Sequence, residues 1–262
     1  MCIRDRPLVG AISALVLAVG AIMYMHEIDG GIVMGIGLIM CLGTMAVWWR
    51  DVIKEGEHGG HHTTTVQLGL RYGMVLFIAS EVMFFVAWFW AFFDASLYAD
   101  EAIQIARVEH TGGTWPPQGV EVFNPWHLPL INTIILLTSG TTVTWAHHGL
   151  KEGKRNQLIL GLIATVLLGF IFVGFQAYEY SHAYNDLNLK MSSGIYGSTF
   201  YMLTGFHGFH VTLGAIMLTV ILFRCIRGHF SNENHFGFEA VAWYWHFVDV
   251  VWLGLFVFVY WL

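Results

Sequence analysis

Residues 66–97 read VQLGLRYGMVLFIASEVMFFVAWFWAFFDASL, and between Arg71 and Asp94 this stretch contains a single charged residue, Glu81. A helix needs about 20 apolar residues to cross the roughly 30 Å hydrocarbon core of a bilayer, and lipid cannot pair with exposed backbone groups. The stretch is long enough to cross as a tilted or protruding helix. It predicts an integral membrane protein.

Six further apolar stretches along the chain have the length of a membrane-spanning helix. The composition agrees, because 56% of the 262 residues are hydrophobic and only 11% are charged, whereas charged residues make up about a quarter of a soluble domain. We therefore expect an all-α membrane protein with seven transmembrane helices. The predicted spans are residues 8–25, 30–49, 66–97, 128–148, 157–180, 196–226 and 236–261.

The lysine and arginine residues fall almost entirely on one side of the seven predicted spans. Arg107 and Lys190 lie on the other side, which is instead rich in acidic residues. Because basic residues concentrate on the cytoplasmic side of membrane proteins, this pattern predicts an inside N-terminus and an outside C-terminus. The residues on the basic side are Arg4, Arg6, Arg50, Lys54, Arg71, Lys151, Lys154, Arg155, Arg224 and Arg227.

Several ionisable side chains lie within the predicted spans. Such groups are costly in lipid, so each one predicts either a function or a hydrogen-bonding partner on a neighbouring helix. For the histidines and Asp249 we favour interhelical hydrogen bonds over a proton relay or a metal site. For Glu81, which has no basic residue at helical spacing, a proton-linked or lipid-linked acid and a neutral hydrogen bond fit the sequence equally well. The residues are Glu81, His207, His210, Glu239, His246 and Asp249.

Two pairs of adjacent histidines, His61 with His62 and His147 with His148, raise the question of a metal site. Adjacent side chains on a helix point about 100° apart, so neither pair can easily close on one ion. The chain also lacks the CxxC and HExxH patterns of zinc sites. The sequence therefore predicts no bound metal.

Aromatic and cationic residues lie together at the basic ends of the spans, most densely in WWRDVIKE at residues 48–55. Aromatic rings beside cationic donors at headgroup depth suit anionic phospholipid. An ordinary aromatic belt with snorkelling arginines produces the same pattern, so spacing alone leaves both interpretations open.

Small residues within the spans predict where two helices approach closely. Gly31 and Gly35 in the second span, and Gly205 and Gly208 in the sixth, have a spacing that suits such contacts. We expect these glycines to serve helix packing.

A series of ordered motifs from about Pro7 to the C-terminus resembles one family. That family is subunit III of cytochrome c oxidase, the accessory subunit of aa3-type haem–copper oxidases. The motifs are WWRDVI (48–53), HHT (61–63), GLRYGM (69–74), SEVMFF (80–85), FWAFF (89–93), WPP (115–117), TWAHH (144–148), QAYEY (176–180), GFHGFHV (205–211) and HFGFEAVAWYWHFVDVVW (235–252).

The resemblance implies a fold and a set of lipid contacts. The expected fold is a two-helix unit, residues 1–55, and a five-helix bundle, residues 56–262, splayed in a V with phospholipid in the cleft. Residues 1–6 do not match the family's longer N-terminal arm. Glu81 matches the family's carbodiimide-reactive membrane carboxyl. The implied lipid-contact residues are Trp48, Trp49, Glu55, His62, Arg224 and His229.

The resemblance also implies a function for the chain. It would carry no redox centre and no catalytic residue, and it would pack on subunit I in a complex that also contains subunit II. The partner subunits would hold haem a and copper. There it would sustain proton uptake while the complex passes electrons from cytochrome c to O2 and pumps protons. No nucleic acid partner is implied.

The location and a rival function are further expectations. A bacterial inner membrane is the expected location, with the mitochondrial inner membrane as the alternative. The rival function is a proton-coupled transporter that uses Glu81, His207 and Asp249 as a relay, and it predicts discontinuous helices.

Overall fold

The computed structural model describes the chain except for residues 1–4, 59–61, 102–104 and 262 and the side chains of His58, Ala106, Arg107 and His110. Arg4, His61 and most of the segment 1–6 therefore lie outside the described residues. The described residues form helices and no strand, and seven of the helices are long and apolar enough to cross a membrane. This confirms the predicted all-α class with seven spans. The helices are α1 (Asp5–Met25), α2 (Gly31–His58), α3 (Thr64–Leu97), α4 (Ile105–Thr111), α5 (Leu128–Lys151), α6 (Arg155–Asn185), α7 (Gly194–Ile226) and α8 (Phe236–Leu255), which continues as a π-helix over Phe256–Trp261.

The largest differences from the predicted spans lie at the ends of α2 and α6 and in the connection between the third and fourth spans. Helix α2 continues past Trp49 to His58, and α6 continues past Tyr180 to Asn185. The long connection between the third and fourth spans contains the short helix α4. The predicted spans ended where polar residues begin, but a helix needs no apolar residues once it leaves the bilayer, because water then satisfies its side chains.

The chain divides into two compact units, Met1–Gly69 and Leu70–Leu262, and the division falls within α3. The expected boundary at residue 55 and the V-shaped arrangement stay predictions.

In the first unit, α1 and α2 approach each other closely at two glycines. A Cβ atom on Gly37 would overlap the backbone nitrogen of Leu17, and one on Gly20 would overlap that of Met34. Around a Cβ atom on Gly35, in contrast, no described atom outside its own helical turn lies within 4 Å. Gly35 therefore makes no close contact with α1, and Gly37, on another face of the same helix, provides the α1–α2 contact.

In the second unit, two tryptophans of α8 form the centre of the bundle. Trp245 and Trp252 are both fully buried. The Trp245 indole N–H donates to Ser139 Oγ at 2.9 Å, and the Trp252 indole N–H donates to Thr133 Oγ1 at 2.9 Å. Both acceptors lie on α5, so each tryptophan provides a large apolar surface and also a specific link between two helices.

Two glycines make room for the Trp245 ring. A Cβ atom on Gly169 of α6 would lie 2.8 Å from ring atom Cη2, and one on Gly214 of α7 would lie 2.8 Å from Cε3. Side chains at these positions would collide with the ring. The sixth-span glycines singled out in the sequence, Gly205 and Gly208, have only ordinary contacts at 3.6 and 4.0 Å.

Helix α3 contacts its neighbours through large aromatic side chains. Phe84 packs edge-on against Phe206 of α7 with ring centroids 4.8 Å apart, and Phe85 lies 6.0 Å from Phe247 of α8. Phe85 and Phe247 also line an apolar groove of about 420 Å³ between α3 and α8. Helix α3 thus packs against α7 through Phe84 and against α8 through Phe85.

The turn from α5 to α6 is short and charged. Gly153 adopts the left-handed region at φ +72°, which a residue with a side chain rarely adopts. Glu152 contacts Lys154 at 2.6 Å and His148 at 2.8 Å. The hydrogen bond from the Lys154 ammonium lowers the pKa of the Glu152 carboxyl. This places the His148 side chain at the exposed turn, away from the bundle interior.

Candidate functional site

The carboxyl group of Glu81 on α3 meets the imidazole of His210 on α7. Glu81 Oε2 and His210 Nε2 are 3.0 Å apart. The other ring nitrogen, His210 Nδ1, lies 2.6 Å from the carbonyl oxygen of Phe206, which can only accept, so Nδ1 carries a hydrogen. The Glu81–His210 contact then needs one more proton, held either by the carboxyl or by the imidazole. The two side chains form a proton-sharing pair.

The surroundings of this pair are aromatic. The His210 ring lies 5.1 Å from the Phe85 ring and stacks on Tyr244 of α8 at 6.3 Å. The side chain of His210 is 9% exposed and that of Glu81 is 23% exposed. Glu81 is thus the more accessible member, and its basic partner comes from a helix 129 residues away in sequence.

His207 lies one turn from His210 but has a different environment. It is fully buried, and its Nε2–H donates to the carbonyl oxygen of Val248 on α8 at 3.1 Å. Its Nδ1 has no hydrogen-bond partner within the described part of the chain. The ring packs against Phe172 and Trp252. His207 therefore links α7 to α8 and does not contact Glu81.

His246 and Asp249 of α8 both face α5. The Thr144 hydroxyl donates to the carbonyl oxygen of Gly140, so His246 Nε2–H is the donor in its 3.2 Å contact with Thr144 Oγ1. Asp249 lies against Gly140, where an added Cβ atom would come within 2.7 Å of Oδ2. The interhelical hydrogen bond predicted for His246 is therefore confirmed. Asp249 packs against α5, but its buried Oδ1 has no hydrogen-bond partner among the described residues.

Glu239, in the first turn of α8, forms an ion pair with Arg71 of α3. Two guanidinium nitrogens of Arg71 donate to Glu239 Oε2, at 2.9 and 3.1 Å. The other carboxylate oxygen, Oε1, faces His235, and His147 lies beside both of them. Among the residues that the structure describes, His147, His235 and Glu239 form the grouping that could hold a metal ion.

Glu179 of α6 is a buried carboxyl that the sequence prediction missed. It is fully buried, and its Oε1 accepts hydrogen bonds from the Tyr260 hydroxyl at 2.5 Å and from Gln176 Nε2 at 3.2 Å. The sequence did contain an indication of this burial, because Glu179 follows directly on a long apolar run. The predicted span ended at residue 180 and so placed Glu179 at the membrane surface, whereas α6 continues to Asn185.

Removal of the Tyr260 hydroxyl should destabilise the bundle. In Tyr260→Phe, Glu179 stays buried and keeps only the longer of its two hydrogen bonds, the one from Gln176, and the loss of a hydrogen bond to a buried carboxyl group costs about 1–3 kcal/mol. We expect that loss in the free energy of unfolding, measured by titration with a denaturing detergent. The matched control is Tyr178→Phe. Tyr178 lies next to Glu179 on α6 and is 63% exposed. Equal, small losses in both variants would contradict a structural role for the Glu179–Tyr260 bond.

The proposed lipid-contact residues are divided between the two units. In the first unit, Trp48 and Trp49 are 37% and 56% exposed. The His62 ring lies against Gly56, where an added Cβ atom would come within 3.2 Å of it, next to Glu55 at the end of α2. The two indoles therefore expose apolar surface near the C-terminal end of α2, where the charged residues also lie.

In the second unit, the guanidinium of Arg224 lies over the Phe230 ring, 4.3 Å from its centroid. His229 follows the end of α7, and its backbone N–H donates to the carbonyl oxygen of Arg224 at 3.1 Å. The turn after α7 thus keeps both cationic candidates at one end of the helix.

Comparison with known proteins identifies the family. The family model for cytochrome c oxidase subunit III matches residues 2–262. The chain belongs to the cytochrome c oxidase subunit III family. It is similar to cytochrome c oxidase subunit 3 of Prototheca wickerhamii, with 55% identity over 97% of this chain and 93% of the relative. The corresponding protein of Arabidopsis thaliana is 54% identical over 97% and 92%, and that of Carassius auratus is 52% identical over 97% and 93%.

Membership in this family makes the chain an accessory subunit of an oxidoreductase complex that contains other subunits. The rival transporter function predicted discontinuous helices, but α3, α6 and α7 are continuous. The organisms of these relatives are eukaryotes, which does not support the expected bacterial location. Membership in the subunit III family and the seven helices establish that the chain is a multi-span membrane protein.

Proposed function

We propose that this subunit supports proton uptake by cytochrome c oxidase through Glu81 and His210, while partner subunits carry out the redox reaction. The observation that carries the proposal is the 3.0 Å contact between Glu81 Oε2 and His210 Nε2. Because His210 Nδ1 is committed to the carbonyl oxygen of Phe206, the proton in this contact can be held by either group. A pair of this kind can take up or release one proton inside the membrane.

The partners and cofactors in the proposal follow the family resemblance. Subunit I is the main partner and subunit II belongs to the same complex. These subunits hold haem a and copper, and this chain contributes no redox centre. The basic ends of the spans face the inside of a respiratory membrane, with the mitochondrial inner membrane as the location that the eukaryotic relatives favour.

Phospholipid is the proposed ligand of the aromatic and charged residues at the basic ends of the spans. In the first unit these are Trp48, Trp49, Glu55 and His62; in the second they are Arg224 and His229. A phosphate-bearing headgroup suits a guanidinium that is held over an aromatic ring. Indole rings at headgroup depth suit the upper part of the acyl chains. The exposure of Trp49 and the Arg224–Phe230 contact support this assignment.

The proton-sharing pair can be tested with a carbodiimide, which modifies protonated carboxyl groups. In His210→Leu, Glu81 loses the partner that stabilises its charged form, and the adjacent rings of Phe84 and Phe85 favour the neutral acid. We expect Glu81 to be modified about tenfold faster than in the wild type at neutral pH, because a larger fraction of its carboxyl groups is then protonated. The modified peptide is quantified by mass spectrometry in the complex purified with its haem a.

Two further variants complete this test. Glu81→Gln should abolish the modification of that peptide, and His127→Leu, an exposed histidine at the start of α5, should leave it unchanged. Identical rates and pH profiles in His210→Leu and the wild type would contradict the shared proton. Purification of a colourless, solitary chain would contradict the oxidase role itself.

A further inference from the structure

Three metal-ligating side chains converge where α5 ends and α8 begins. His147 lies in the last turns of α5, His235 directly precedes α8, and Glu239 lies in the first turn of α8. One ligand atom of each lies within 4.8 Å of the other two. His235 Nε2 and Glu239 Oε1 are already 3.4 Å apart. His235 is 8% exposed, and the other two are partly buried.

The hydrogen bonds around His235 leave a lone pair directed at this point. His235 Nδ1 lies 3.1 Å from the carbonyl oxygen of Ser231 and therefore carries the hydrogen. In the neutral ring, Nε2 is then an acceptor, and it faces Glu239 Oε1, which is also an acceptor. Two acceptors at this distance need a positive charge between them, either a proton or a metal ion.

The position of His147 favours the metal ion over the proton. The Nε2 atoms of His147 and His235 are both buried and have no hydrogen-bond partner among the residues described. A proton on His235 would serve its contact with Glu239 but would leave His147 Nε2 unpaired, at a cost of about 1–3 kcal/mol. A single cation can accept electron pairs from all three groups.

Arg71 holds the carboxylate in the required orientation. Both of its contacts, at 2.9 and 3.1 Å, go to Glu239 Oε2, and this leaves Oε1 directed at the histidines. Outer partners of this kind fix the orientation of metal-binding carboxylates and histidines in known sites, as Ser231 does here for His235.

We propose that His147, His235 and Glu239 bind a zinc-class divalent cation. Two imidazole nitrogens and one carboxylate oxygen are ligands that Zn²⁺ prefers, whereas Mg²⁺ and Ca²⁺ prefer oxygen atoms. In a tetrahedral zinc site the ligand atoms are about 3.3 Å apart, so His147 has to move inward by at most about 1.5 Å. Water or another external ligand completes the fourth position.

Two positive side chains near the three ligands should weaken the binding of a cation. Arg71 already neutralises Glu239, and Lys151 lies close enough to His147 to act on it electrostatically. The cation is therefore bound mainly by its two imidazole bonds. The site thus differs from a structural zinc site, in which four protein ligands complete the coordination shell.

The test is a zinc titration of the full-length subunit in its purified complex after dialysis against a chelator. Binding is measured in competition with a zinc-sensitive fluorescent chelator. We expect about one zinc ion per wild-type subunit at this site, and binding at least about tenfold weaker in His147→Ala and in His235→Ala. The matched control is His148→Ala, whose side chain is 65% exposed and paired with Glu152; it should bind zinc like the wild type.

Several outcomes would overturn the proposal. Equal zinc binding in the wild type, His147→Ala and His235→Ala would do so, and so would displacement of zinc by equimolar MgCl2. If the alanine variants do not assemble, X-ray absorption at the zinc edge decides the question. The spectrum of the chelator-treated wild-type complex is subtracted from that of the zinc-loaded complex. Two imidazoles per zinc ion support the site, and a spectrum without imidazole scattering overturns it.

Discussion

Trp245→Ala should lower the free energy of unfolding by about 3–5 kcal/mol, the usual cost of truncating a buried aromatic residue to alanine. The indole is fully buried and lies between Gly169 and Gly214, which have no side chains that could move in to fill the space. The same change removes the donor that pairs with Ser139 Oγ and so breaks a link between α8 and α5. Detergent-titrated unfolding of the purified complex measures the loss.

The matched control is Trp90→Ala on α3, where the indole is 75% exposed. It removes the same number of atoms from an exposed position, and we expect a change within about 0.5 kcal/mol. Similar losses in both variants would show that the second unit is not held together by packing around Trp245.

Gly37→Val should separate α1 from α2. The new Cβ atom would overlap the backbone of Leu17, and backbone atoms cannot turn aside as a side chain can. Overpacking costs about 1–3 kcal/mol even where side chains can adjust, so we expect at least that loss for the helix pair. Amide hydrogen exchange of α1 and α2 peptides in lipid nanodiscs should become faster, while exchange in α6 and α7 should not change.

Gly35→Val is the control for this experiment. It lies two residues away on the same helix, gains the same helix propensity, and has no described atom of another turn within 4 Å of an added Cβ atom. The difference between the two variants therefore isolates the steric contact. Faster exchange in Gly35→Val, or unchanged exchange in Gly37→Val, would place the α1–α2 contact elsewhere.

These two predictions also show how far sequence patterns reach in this chain. A glycine within an apolar run indicates that some helix face could approach a neighbour, but it does not say which face is used. Gly35 and Gly37 differ by about 200° around the helix axis, since each residue turns about 100°. Only the packed pair shows that Gly37 faces α1.

The ionisable groups illustrate the same limit. Glu81 is recognisable from sequence because a carboxyl group within an aromatic run stands out at bilayer depth. Its partner is not recognisable, because His210 is 129 residues away and several histidines in the spans were equally available. Glu179 was missed because the predicted span ended one residue after it.

The sequence by itself determined that this chain is a seven-span membrane protein of the cytochrome c oxidase subunit III family. Long apolar runs can satisfy their backbone only as helices in lipid, and this local rule requires no knowledge of the neighbours. The tertiary structure alone decided which side chains meet: Glu81 with His210, Glu179 with Tyr260, and His147 with His235 and Glu239. Such contacts depend on how each helix is rotated and shifted along its axis, and packing between distant segments sets both.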